Sequence, residues 1–225
     1  MAVLLEGRRT DRSRAFIAAA LAAGICVVAV PAGAEAADNG AVEPRFAPAH
    51  VVARVDSGDV LGDGGVILTV AALARGDLTG DGLDDIVVTR GRWRSEETFP
   101  ISILVNDGRG MFVDRTVELF EGPVTQPQGA TQTVLEDFNG DGRLDILIAD
   151  SGVDAEPWPG HTSHLVVSTP EGRFVDVSAN LPSEPAFTHT AAAADVDGDG
   201  DADIFLGHLG PPVQLLLNDG AARFD

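Results

Sequence analysis

The chain has 225 residues, with 15 Arg, no Lys and 35 Asp or Glu, for a formal net charge of −20. A surface this negative repels nucleic-acid phosphates and anionic lipid, and attracts cations. Strong acidity often accompanies disorder, but a 44% hydrophobic content gathered into short Val, Ile and Leu runs points to a folded chain.

At the N-terminus, Arg8, Arg9, Arg12 and Arg14 precede an apolar run from Ala15 to Val30, followed by the small residues of "PAGAEAAD". This is the three-part pattern of a secretory signal, cut after Ala34 or Ala36. The run is shorter than the roughly 20 apolar residues of a membrane span, which favours a signal over an anchor. The Arg8-Arg9 pair lacks the apolar residues that follow it in twin-arginine signals, and either export route is compatible with it. Cys26 is the one cysteine, and Ile25 before it disfavours lipidation. Cleavage would leave a chain with no disulfide, although export would permit one. The predicted organisation is a signal peptide at 1–36, a short linker at 37–45 and repeats at 46–225, in a secreted, periplasmic or cell-surface protein.

Three related stretches follow: "DLTGDGLDD" at 77–85, "DFNGDGRLD" at 137–145 and "DVDGDGDAD" at 195–203. They share Asp at positions one, five and nine and Gly at four and six. Their first aspartates are 60 and then 58 residues apart, which marks an internal repeat. Each loop is entered by a run such as "TVAALARGD" or "HTAAAAD" and left by an apolar one: "DDIVVT", "LDILIA" or "ADIFLG". A further strand and a turn come next, in "ISILVNDGRGMF", "HLVVSTPEGRF" and "QLLLNDGAARF". Asn-Asp-Gly between apolar runs is hairpin chemistry. Four short strands per unit of about 60 residues predict an all-β fold of propeller blades, each of four antiparallel strands. The units run over about 46–112, 112–174 and 174–225. Three blades fall short of the usual 4–8, so an incomplete propeller is expected, with further blades from a longer chain or from other copies.

Oxygen ligands on alternate residues of a tight Gly-rich turn suit calcium, which takes six to eight oxygens in flexible geometry. The candidate ligands are Asp77, Thr79, Asp81, Asp85 and the Leu83 carbonyl in the first loop. In the second they are Asp137, Asn139, Asp141, Asp145 and the Arg143 carbonyl. In the third they are Asp195, Asp197, Asp199, Asp203 and the Asp201 carbonyl. An EF-hand would need a bidentate Glu at position twelve, where Val88, Ile148 and Leu206 stand. Magnesium prefers fewer carboxylates and more waters.

The repeat Asp-x-(Asp/Asn)-Gly-Asp-Gly-x-x-Asp, followed by an apolar strand and a later "LLxNDGxGxF" turn, resembles the FG-GAP/VCBS repeats that build the β-propeller of integrin α-subunits and many secreted bacterial proteins. The resemblance covers about 46–225. It implies about three calcium ions at one rim of the propeller, with ligand binding on the opposite face. Thr79 departs from the usual Asp or Asn, and Ser168-Thr169-Pro170 replaces one Asn-Asp-Gly turn.

No phosphate loop, Gly-x-Ser-x-Gly or dinucleotide fingerprint is present, so the chain is not read as an enzyme. His161 and His164 are three residues apart in "GHTSHLV", but the sequence nominates no further zinc ligands, and they read as ordinary loop and strand histidines. Trp93 and Trp158 fall in loops between the second and third strands of their blades. Each could stack on a sugar, anchor a partner or cover its own blade. The expectation is an exported, calcium-stabilised module that binds a protein or glycan, with no nucleic-acid partner and no membrane insertion after cleavage. The alternatives are part of a larger secreted polysaccharide-processing enzyme, or a fragment with no independent function.

Overall fold

Each apolar run that leaves an acidic loop is rich in Val, Ile and Leu, and each becomes a strand. The computed structural model describes residues 25–27, 51–54, 69–92, 94–210 and 212–225. The chain divides into two compact units, 1–64 and 65–225. In the first, β1 (Ile25–Val27) pairs antiparallel with β2 (Val51–Arg54). The rest of the predicted signal peptide, the linker and Trp93 lie outside the described residues.

The second unit is all-β, with three antiparallel sheets. The first runs in order through β3 (Thr69–Gly76), β4 (Asp85–Gly91), β5 (Ser102–Asn106) and β6 (Phe112–Asp114). The second holds β7 (Ala130–Glu136), β8 (Asp145–Asp150), β9 (His164–Ser168) and β10 (Phe174–Asp176). The third holds β11 (Thr188–Ala194), β12 (Asp203–His208) and β13 (Gln214–Leu216). Beyond β13 an isolated antiparallel bridge joins Asn218 and Phe224. These meanders match the predicted four-stranded blades and fit an incomplete propeller. Helix is almost absent: α1 (Thr116–Leu119) is a single turn.

The turns form as the sequence expects. Asp107 N–H donates to the Met111 carbonyl (2.9 Å), Thr169 N–H to Arg173 (2.8 Å) and Asp219 N–H to Arg223 (3.0 Å). The second hairpin thus keeps the geometry of the others although Ser-Thr-Pro replaces Asn-Asp-Gly.

The side-chain alternation of strands divides the central strands of the second sheet between two interfaces. Val87, Ile103 and Val105 of the first sheet share a core with Ile146, Ile148 and Val166 of the second. Leu147 and Leu165, on the other face of the second sheet, share a core with Ile204, Leu206 and Leu216 of the third. The second residue of each acidic loop follows the same rule, with Leu78 in the first of these cores and Phe138 in the second. Phe138 is fully buried and packs edge-on to Phe224, with ring centroids 6.2 Å apart. The corresponding residues of the third sheet are left in solvent: Val196 is 54% exposed, Phe205 40% and Leu215 50%. That face carries the apolar pattern of a blade-to-blade contact without a blade on it among the described residues.

Candidate metal centres

Each acidic loop begins directly after the first strand of its sheet, and its ninth residue is the first residue of the next strand. The first-position carboxylate curls the loop. Asp77 accepts from Gly80 N–H (2.7 Å), Asp81 N–H (3.1 Å) and Gly82 N–H (2.8 Å). Asp137 repeats this with Gly140 (2.8 Å), Asp141 (3.1 Å) and Gly142 (2.7 Å). Asp195 does so with Gly198 (2.7 Å) and Gly200 (3.1 Å). Such a curl turns the backbone left-handed at positions four and six, where φ is 72° at Gly140 and 81° at Gly142, a conformation that favours glycine. The fifth-position carboxylates Asp81, Asp141 and Asp199 accept from the N–H of Leu83, Arg143 and Asp201 (2.9, 2.9 and 3.0 Å).

The ninth-position aspartate does more than close the loop. Asp145 is fully buried. Its Oδ2 accepts from Phe138 N–H (2.8 Å) and Asn139 N–H (3.1 Å), and its Oδ1 from Ser168 N–H at the end of β9 (2.7 Å). Asp85 makes the same bonds to Leu78, Thr79 and Asn106 (3.1, 3.2 and 2.9 Å). Asp203 makes them to Val196 and Asn218 (both 2.9 Å). Asp85 and Asp145 thus staple their loops to the last residue of the third strand, and Asp203 staples its loop to Asn218, two residues past β13. Burial pushes the Asp145 carboxyl up to about 6 against the pull of the Ser168 and Phe138 N–H groups, and Asp85 is raised by burial in the same way.

At position three the loops differ. Asp197 accepts from Asp199 N–H, which pulls its pKa down, but partial desolvation and the charges of Asp199 and Asp203 give a net upward shift. Asn139 donates from Nδ2 to the Ser168 carbonyl (3.0 Å) and accepts from Asp141 N–H. Thr79 has a buried Oγ1 with no hydrogen-bond partner. Of the predicted position-seven residues, Leu83 is exposed, and Asp201 lies beside Gly220. Arg143 extends its guanidinium to within 3.5 Å of the Thr79 carbonyl, linking the second loop to the first.

Carboxylate oxygens of Asp195, Asp197 and Asp203 lie within 4.8 Å of one another. This all-oxygen donor set, repeated in backbone form by the other two loops, fits a hard cation. The orphaned Thr79 Oγ1 stands at the matching position of the first loop.

A second group of metal-ligating side chains was not found from the sequence. Asp150, His161 and His164 each offer one ligand atom within 4.8 Å of the others. Asp150 is the last residue of β8 and fully buried. Its Oδ2 lies 3.2 Å from His164 Nε2 and 3.3 Å from His161 Nδ1. Burial pushes the Asp150 carboxyl up, but the two histidines and the Gly152 and Gln128 N–H groups outweigh it and hold it well below the usual carboxylate range. The Asp150 bond raises His161. The two histidines were in view in the sequence; Asp150, 14 residues before His164 and on another strand, was not. Trp158 sits in the same loop as His161, 50% exposed.

The sequence profile of the FG-GAP-like repeat matches residues 77–148 and 137–206. Each match starts on the first aspartate of one acidic loop and ends in the strand after the next. A search of the curated proteins found no match.

Proposed function

The chain belongs to the FG-GAP-like repeat family, and on that premise we propose that it is an exported calcium-binding β-propeller module that binds a protein or glycan partner. The observation that carries the calcium reading is the nine-residue loop folded alike three times, with three carboxylates converging in its third copy. The ions would be held by Asp77, Thr79, Asp81 and Asp85, by Asp137, Asn139, Asp141 and Asp145, and by Asp195, Asp197, Asp199 and Asp203, with the carbonyls of Leu83, Arg143 and Asp201. Bound calcium would supply charge neutralisation to loops that otherwise repel themselves. The residues of the chain curl and staple those loops in advance, and the metal is structural rather than catalytic. Export follows from the basic and apolar N-terminal pattern. Partner binding is assigned to the inter-strand loops, where Trp158 is half-exposed. The uncovered face of the third sheet takes a further blade, from a longer chain or from a second copy.

Extracellular modules bind calcium with dissociation constants of about 10⁻⁴–10⁻³ M. At millimolar calcium and the tight end of that range, mass action adds about 1.4 kcal/mol per site, or roughly 4 kcal/mol for three. For a unit of this size that raises the melting temperature by about 10 °C. A thermal melt of the full chain in excess chelator and then in a few millimolar calcium checks it. A melting temperature that ignores calcium, or responds equally to magnesium, would sink the reading.

The raised Asp145 pKa gives this linkage a pH dependence. In metal-free protein its proton is held more tightly folded than unfolded, so its contribution to stability is full below about pH 4 and lost as pH rises through about 6. A cation must displace that proton. Calcium affinity measured by calorimetry is therefore expected to fall between pH 7 and pH 5, while the metal-free protein gains from this group over the same interval. Affinity that is flat across the interval would count against Asp145 as a ligand.

A further inference from the structure

We propose that Asp150, His161 and His164 form a binding site for one divalent transition-metal ion of the zinc class, distinct from the acidic loops. The two sites are held at opposite ends of one strand. Asp145 opens β8 and Asp150 closes it, which at about 3.3 Å per residue separates them by roughly 17 Å.

The spacing fits such an ion. Bonds of about 2.0–2.1 Å in a tetrahedron place neighbouring ligand atoms roughly 3.3–3.4 Å apart. Asp150 Oδ2 lies 3.2 Å from His164 Nε2 and 3.3 Å from His161 Nδ1. Two imidazole nitrogens with one carboxylate oxygen suit zinc and its neighbours rather than calcium, which takes oxygen alone. Three protein ligands leave a fourth position, and the part-exposed His161 ring (31%) puts the site within reach of solvent.

The site is built before any ion arrives. Asp150 Oδ1 accepts from Gly129 and Gly152 N–H, and Oδ2 from Gln128 N–H (all 2.8 Å). Metal-binding carboxylates are commonly oriented by such outer hydrogen bonds. His161 is pinned by paired backbone bonds with Ala186, each 3.1 Å. The loop between β8 and β9 is wedged in place. A Cβ at Gly152 would lie 2.7 Å from the Gly160 carbonyl oxygen, and one at Gly160 would lie 2.6 Å from the Ala186 backbone.

The same register position in the other sheets shows what is particular to this one. There the sixth residue of the second strand meets the first residue of the third as a closed polar pair. Arg90 donates to Ser102 Oγ at 2.7 Å, and His208 Nε2 lies 3.0 Å from Gln214 Oε1. In the second sheet the pair is Asp150 and His164, and the loop brings a third ligand to it. The site is thus a property of one blade and not of the repeat. Its function is to anchor that loop, which carries Trp158, and to leave one coordination position for a small ligand.

The test uses the full chain with Cys26→Ser, so that no thiolate competes, in saturating calcium to fill the acidic loops. Zinc is titrated calorimetrically, and cobalt(II) is then bound in its place for absorption spectroscopy. One zinc per chain is expected. His161→Ala should weaken it by more than the roughly 10–100-fold that loss of an outer partner costs, while His208→Gln leaves it unchanged. Cobalt should give the intense visible bands of four-coordinate nitrogen and oxygen ligation. Absence of zinc binding, or equal binding in His161→Ala, overturns the proposal. Should His161→Ala fail to fold, the cobalt spectrum decides: four-coordinate bands support the site, and a weak six-coordinate spectrum overturns it.

Discussion

Asp145→Ala is expected to lower stability by about 3–6 kcal/mol in calcium-free conditions, a large part of the 5–15 kcal/mol that holds a typical domain together. The carboxylate accepts three backbone N–H groups, from Phe138, Asn139 and Ser168. Alanine leaves all three without a partner, each at about 1–3 kcal/mol when buried. Asp137→Ala is the matched control. Its three bonds are to N–H groups exposed to water, which replaces the lost acceptor. It should cost little without calcium and should cancel the calcium-dependent gain of its own loop. Urea unfolding of both variants, with and without calcium, separates staple from ligand. Equal losses for the two variants in chelator would refute the stapling role.

Leu147→Ala is expected to cost about 2–5 kcal/mol, the usual range for a fully buried leucine. Leu147 has no exposed surface and packs between the second and third sheets. Phe205 occupies the same place in the third sheet: it is the third residue of β12 as Leu147 is of β8, and it pairs with Leu215 as Leu147 pairs with Leu165. At 40% exposure Phe205 has far less burial to lose, and Phe205→Ala should cost under about half as much despite removing more atoms. Chemical denaturation of the two single variants measures the difference. A Phe205→Ala loss as large as that of Leu147→Ala would mean that another surface, in trans, already covers the third face. The effect would then depend on protein concentration.

The strands and turns were legible because they rest on local chemistry. Short continuous Val, Ile and Leu runs select strand, Asn-Asp-Gly selects a tight reversal, and glycine at positions four and six of each acidic loop permits the left-handed backbone that the first-position aspartate then bonds. The order of strands within each sheet followed from the repeat period and hairpin spacing. The place of each ninth-position aspartate at the head of a strand could also be read by counting. Apart from the repeat period, these features depend on near neighbours in sequence, and the chain states them directly.

Tertiary structure alone decided three things. It turned the ninth-position aspartates into staples, because Asn106, Ser168 and Asn218 reach them from 15 to 23 residues further along the chain. It divided equivalent apolar residues into core and surface: Leu78 and Phe138 are covered by the sheet that follows, whereas Val196 has no such sheet over it among the described residues. And it brought Asp150 to His161 and His164. In the sequence that aspartate ends an apolar run where the other repeats carry Arg90 and His208, and no spacing rule connects it to the histidines. The reason is common to all three. Local pattern sets which way a side chain points from its own strand. What it meets there is set by the pairing of β8 with β9 and by the packing of one sheet on the next, which join residues far apart along the chain.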